Sequence, residues 1–204
     1  MDCQQWLAGH RSQPLTQPTP DPVARRALSL SLPLVLVGLA WLQELIDTLF
    51  LRGQWSLAIH PGSGWWTLFT APFSHGGFSH LLTNTLVFLP LSYLVMLKGL
   101  RAYLAVWMGV ICLEIPIWLF WPVGSHGLSG VVYGLLAYLL ATGLIERRPL
   151  SLGLSVLVLC LYGSSLFGLL PWASPPGVSW IGHTGGFIGG LLAAAATARK
   201  ANQA

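Results

Sequence analysis

The chain has 204 residues, of which 54% are hydrophobic and only 8% charged, where an ordinary soluble domain has roughly a quarter charged. With a mean hydropathy of +0.67, ten Trp and 23 Gly, it has too few polar side chains to cover a water-facing surface, which excludes a soluble globular fold. The net charge of +4 follows from membrane topology, as shown below, and requires no nucleic acid partner.

Residues 1–27 are polar and proline-rich (PLTQPTPDPVARR) and read as a flexible tail without a core of its own. No apolar run follows Met1 as it would in a cleavable signal peptide. Six apolar stretches come next, near 28–50, 79–97, 101–121, 128–145, 150–170 and 179–198. Each approaches the ~20 residues a helix needs to cross ~30 Å of hydrocarbon. Backbone groups in lipid must be satisfied internally, so helices are expected and strands are not. The expected fold is therefore an all-α, polytopic bundle of six transmembrane helices in one domain, 28–198, with a short tail at 199–204.

Nine of the ten basic residues (Arg11, Arg25, Arg26, Lys98, Arg101, Arg147, Arg148, Arg199 and Lys200) fall on one side of such a bundle, and only Arg52 on the other. The positive-inside rule makes the crowded side cytoplasmic and puts both tails there. A bacterial plasma membrane is the expected location. The long loop 51–78 carries Trp55, Trp65, Trp66 and Phe69, a cluster suited to anchoring in the membrane interface. Cys3, Cys112 and Cys160 are scattered, which gives neither a disulfide framework nor a zinc site.

Strongly polar groups inside spanning segments are costly and mark function by default. Glu44 and Asp47 lie near the outer end of the first helix, where they would reach interfacial water. Glu114 sits mid-helix, followed by Pro116, and either pairs with a neighbouring helix or carries protons; both readings stand. His80 and Asn84 are four apart and share a helix face. They are donors of the kind that steadies a developing oxyanion. His75 precedes His80 across a Gly-Gly turn, without an accompanying carboxylate, so the spacing argues against a metal. No metal and no cofactor are expected.

His183 opens the sixth stretch in SWIGHTGGFIGG, where Gly182, Gly186 and Gly190 recur every fourth residue, as do Gly185 and Gly189. The fourth stretch has Gly130 and Gly134 just after Ser129. This small-xxx-small pattern lets helix backbones approach closely, which is what a general base needs to come within ~3 Å of a nucleophile's proton. Tyr133, one turn below Ser129, is placed to stack on the imidazole. Ser129, His183, His80 and Asn84 thus supply a nucleophile, a base and two oxyanion donors on one predicted side of the membrane. They point to serine hydrolase chemistry, and since no acid lies near His183, to a dyad.

These residues, in this order, resemble the rhomboid family of intramembrane serine proteases. The family's HxxxxHxxxN motif reads here as His75, His80 and Asn84, its GxSG motif as Gly127, Ser129 and Gly130, and its final His with glycines as His183, Gly186 and Gly190. The resemblance covers about residues 64–195. It implies a Ser129–His183 dyad and an oxyanion hole formed by His80, Asn84 and the backbone near Leu128 and Ser129. It also implies transmembrane proteins as substrates and the bilayer as surroundings; it leaves the oligomeric state open. Many members carry Trp-Arg in the first loop, whereas Trp65–Trp66 is followed here by Thr67, so what holds this loop is an open question. Two relatives of the same fold are the alternatives: an inactive binding module, which usually lacks the Ser or the His, and a rhombosortase that processes C-terminal anchors. A proton-relaying transporter would show internal repeats, which this sequence lacks.

Overall fold

The computed structural model describes residues 22–174 and 177–198, with side chains from residue 30 onward. The expected tails therefore lie mostly outside the described residues. The long helices are α1 (Pro22–Ile46), α2 (Phe78–Met96), α3 (Leu100–Phe120), α4 (Ser129–Glu146), α5 (Pro149–Tyr162) and α6 (Trp180–Thr197). Among the described residues there is no strand, only an isolated antiparallel bridge between Ile59 and Ser125. The first helix starts at Pro22 rather than near 28, because proline is tolerated in a helix's first turn, where its missing N–H has no partner to lose.

Five of these segments are long and apolar enough to span a membrane: Leu30–Leu51, Phe78–Met96, Leu100–Phe120, Ser129–Glu146 and Pro149–Leu169. The expectation of six is thus met by five. The remaining helix, α6, has 18 residues, but its five glycines and His183 lower its hydropathy. Two thirds of α4 is buried inside the protein, against at most a third of any other span, so α4 is the central helix and the rest surround it. Leu135, Leu136, Tyr138 and Leu139 on α4 are sealed from the surface together with Phe88 of α2 and Tyr103 and Val106 of α3.

In lipid, apolar burial between helices gives little driving force, and association rests on van der Waals packing and close backbone approach. The glycine seam supplies both. A Cβ on Gly186 would fall 2.0 Å from the Gly130 carbonyl oxygen, and one on Gly190 would fall 2.0 Å from that of Gly134. The opposite face of α6 does the same to α3, where a Cβ on Gly109 would lie 2.4 Å from the Gly189 oxygen. Helix α6 is therefore wedged between α3 and α4 with backbone against backbone. At the far end of the bundle, Lys98 pairs with Glu146 at 2.6 Å and donates to Ser151 Oγ at 2.5 Å, tying the ends of α2 and α4 to the start of α5.

The loop between α1 and α2 is a scaffold. Trp55 N–H donates to Asp47 Oδ1 at 2.8 Å, and Gln43 Nε2 donates to the Trp55 carbonyl at 3.1 Å. Thr67, where arginine was the family expectation, is 6% exposed and donates to the Gly64 carbonyl at 2.7 Å, with Ser63 Oγ 3.0 Å away. Trp118 of α3 donates to the Ser63 carbonyl at 2.8 Å. A compact hydroxyl network thus holds the turn. Trp65, Trp66 and Phe69 stay exposed and meet edge to face, as an interfacial anchor requires. Glu44 and Asp47 depart from expectation, because both are buried, at 3% and 6% exposure. They line a cavity of about 370 Å³ between the end of α1 and the loop before α2.

Candidate active site

Ser129 is the first residue of α4, at the end of a loop fixed from three directions. The Ile59–Ser125 bridge holds its start, with bonds of 2.8 and 3.0 Å. Gly127 N–H donates to the Ala71 carbonyl at 2.8 Å, and Leu128 N–H donates to His75 Nε2 at 3.2 Å. Gly127 has φ +92°, a left-handed conformation that glycine adopts at little cost. A Cβ there would lie in ordinary contact with the imidazoles of His75 and His80, 3.5 Å away, so the backbone angle and not crowding favours glycine.

The glycine seam carries His183 to this point. Its Nε2 lies 3.0 Å from Ser129 Oγ, and its Nδ1 lies 3.0 Å from the Gly168 carbonyl oxygen. A carbonyl can only accept, so Nδ1 bears the hydrogen and the neutral ring leaves its Nε2 lone pair for the Ser129 hydroxyl. Tyr133 stacks on the imidazole with ring centroids 4.2 Å apart and planes 21° apart. Its hydroxyl donates to the Ser165 carbonyl at 2.6 Å. Gly168 and Ser165 belong to Gly163–Leu169, where the fifth apolar segment tightens into a 3-10 helix. A Cβ on Gly168 would fall 2.1 Å from the Tyr133 hydroxyl, so this glycine admits the tyrosine while its carbonyl orients the histidine.

The other expected site residues are placed less uniformly. His80 lies beside Gly127, and its imidazole makes no hydrogen bond among the described residues. Asn84 is 7% exposed one turn further along α2 and donates one amide hydrogen to the His80 carbonyl at 3.1 Å. Its second amide hydrogen is uncommitted. The Leu128 N–H, expected to face an oxyanion, donates to His75 Nε2 in the structure. The N–H of Ser129 has no partner among the described residues, as expected in a helix's first turn. His75 accepts the Leu128 bond because burial, with the neighbouring His80, holds its pKa down to about 4. Its other nitrogen donates to the Phe73 carbonyl at 3.3 Å.

Two residues escaped the sequence reading. Gly168 sits in an apolar run with no motif around it. His126 forms a row with His80 and His75, at ring separations of 6.2 and 5.3 Å, and burial and His80 lower its pKa. Among the described residues no three ligating side chains converge as around a metal. Among the described residues Glu114 forms no ion pair with a neighbouring helix. Its Oε2 is buried without a partner, beside a cavity of about 20 Å³ bordered by His126, Gly127 and Gly130, which is room for one water molecule.

A Rhomboid domain model matches residues 62–200, which takes in every residue of this site. The chain belongs to the rhomboid family. An uncharacterized protein of Mycobacterium tuberculosis is 35% identical over 199 residues, covering 91% of this chain and 81% of its own. One from Mycobacterium leprae is 32% identical over 179 residues, covering 79% and 68%. Rhomboid protease GluP of Bacillus subtilis is 32% identical over 136 residues, 65% of this chain and 26% of that protein. No solved structure matches the chain. This rhomboid is an integral, multi-pass membrane protein of a family whose members are generally intramembrane serine proteases.

Proposed function

We propose that this rhomboid is a serine endopeptidase that cleaves single-pass membrane proteins within or beside their spanning segments. The observation that carries the reading is the 3.0 Å approach of Ser129 Oγ to the lone-pair nitrogen of an imidazole held from behind by the Gly168 carbonyl. Ser129 Oγ attacks the scissile carbonyl carbon while its proton passes to His183 Nε2. The resulting imidazolium is steadied by the Gly168 oxygen and by the face of Tyr133. The tetrahedral oxyanion is met by the Ser129 N–H, His80 and the free amide hydrogen of Asn84. Collapse transfers the Nε2 proton to the leaving amine and leaves an acyl-enzyme, which water hydrolyses by the reverse relay. A substrate helix must unwind locally to present its peptide bond, so helix-weakening residues at the cleavage site are expected. With α6 as the sixth crossing, the basic residues put both chain ends in the cytoplasm of a bacterial cell.

The test is labelling by a fluorophosphonate probe in proteoliposomes, alongside cleavage of a single-pass model substrate. Wild type is expected to label at Ser129 and to cleave, and His183→Ala to lose at least a hundredfold in both. No labelling of Ser129 in wild type above the Ser129→Ala background, together with no cleavage, would point instead to an inactive binding module.

Tyr133 separates orientation from stability. Tyr133→Phe keeps the stack and loses the bond to Ser165, so unfolding should cost about 1 kcal/mol less while labelling stays within threefold. Tyr133→Ala removes the ring that fixes the imidazole, and the labelling rate should fall at least tenfold.

A further inference from the structure

The end of the bundle opposite Ser129 holds a cavity of about 520 Å³ that takes no part in the chemistry above. It is formed where five helices terminate: α2 and α3 contribute Leu97, Lys98 and Arg101, α4 and α5 contribute Glu146, Leu150 and Ser151, and α6 contributes Thr197. Arg148, at the start of α5, completes the wall. Glu146 is neutralised by Lys98 and also accepts a hydrogen bond from Ser151. Arg148 acts on Glu146 through space, but the Lys98 pair is the one salt bridge among the described residues. Arg101 and Arg148 therefore leave the cavity with two uncompensated positive charges.

Its position says what it would meet. Four of the five contributing helices are membrane spans, so their ends lie at the level of lipid headgroups. Leu97 and Leu150, 64% and 61% exposed, stand at its rim. A free anion has no use for such leucines, whereas acyl chains lie against them. We infer that this cavity binds the phosphate headgroup of an anionic phospholipid, with Arg101 and Arg148 on the phosphate and the leucines against its chains. Basic pockets between helix ends are suited to such headgroups, and each cation near the surface contributes about fivefold in affinity.

The experiment compares lipid retention by native mass spectrometry, and thermal unfolding in detergent, with phosphatidylglycerol, phosphatidylcholine or inorganic phosphate added. Wild type should retain phosphatidylglycerol and be stabilised by it, with phosphatidylcholine having no effect. The Arg101→Gln/Arg148→Gln variant should retain about thirtyfold less. Arg101→Lys/Arg148→Lys should restore most of the binding, and Arg52→Gln, at the other end, should behave as wild type. Undiminished retention by the glutamine variant, or an equal loss with Arg52→Gln, overturns the proposal. A stabilisation by millimolar inorganic phosphate equal to that by phosphatidylglycerol replaces the lipid with a free anion. Should the glutamine variant fold poorly, loss of retention in the lysine variant, which keeps both charges, decides against a charge-based site.

Discussion

Ser129→Ala is expected to abolish cleavage of a single-pass substrate, with a loss on the order of 10⁶ in kcat, as when the nucleophile of a soluble serine protease is removed. The structure explains why that loss would be chemical and not structural. The Ser129 hydroxyl bonds to His183 alone among the described residues, and the imidazole has two further supports, the Gly168 carbonyl and the Tyr133 ring. Removing one oxygen leaves the ring in place, and the backbone of α4 keeps its first-turn N–H groups. The melting temperature in detergent should therefore stay within a few degrees of wild type. Residual cleavage within tenfold of wild type would overturn the mechanism, since among the described residues the Ser129 hydroxyl is the one that His183 Nε2 meets.

Gly186→Ala should act by the opposite route. The added methyl would sit 2.0 Å from the Gly130 carbonyl oxygen, far inside contact distance, with rigid backbone on both sides. Overpacking of this kind costs about 1–3 kcal/mol or more, and relief requires α6 to move away from α4. That motion would lengthen the Ser129–His183 hydrogen bond, because the two residues ride on the two helices being separated. The expected result is a lower melting temperature together with at least a tenfold loss of fluorophosphonate labelling. Gly190→Ala, one turn further from the site, meets the same 2.0 Å approach at Gly134 and should cost similar stability with a smaller loss of labelling. Gly153→Ala is the control. Nothing lies within 4 Å of its added methyl, and a helix gains up to about 1 kcal/mol when glycine becomes alanine.

Much of this was legible in the sequence, because membrane burial imposes simple rules. Segment lengths located the helices α2 to α6 to within a residue or two at their N-terminal ends. The every-fourth glycines identified the seam between α4 and α6, since that spacing has a direct geometric meaning. The contact of Gly109 with Gly189 was not legible, as Gly109 stands alone in α3 without a repeating partner. Neither was the role of Gly168, where the signal is a carbonyl whose direction depends on a 3-10 turn and not on any side chain. The environment of Glu44 and Asp47 was misjudged for a related reason. Depth along a helix can be read from sequence, but whether a neighbouring loop folds over the helix end cannot. Likewise the Leu128 N–H was lost to His75 through a contact 53 residues distant in sequence.

The support behind His183 has an electrostatic consequence. In soluble serine proteases a carboxylate stands there, and an ionised carboxylate carried into a medium of low dielectric constant faces a large self-energy. Here the position is taken by a peptide oxygen, which offers a dipole and no net charge. The resting pair is electrically silent, and so its insertion into the bilayer carries no Born penalty. In the proposed mechanism, attack by Ser129 would create a positive ring and a negative oxygen together a few ångströms apart, and both would be lost together when the bond breaks. The field that drives the step is thus born inside the site and ends there.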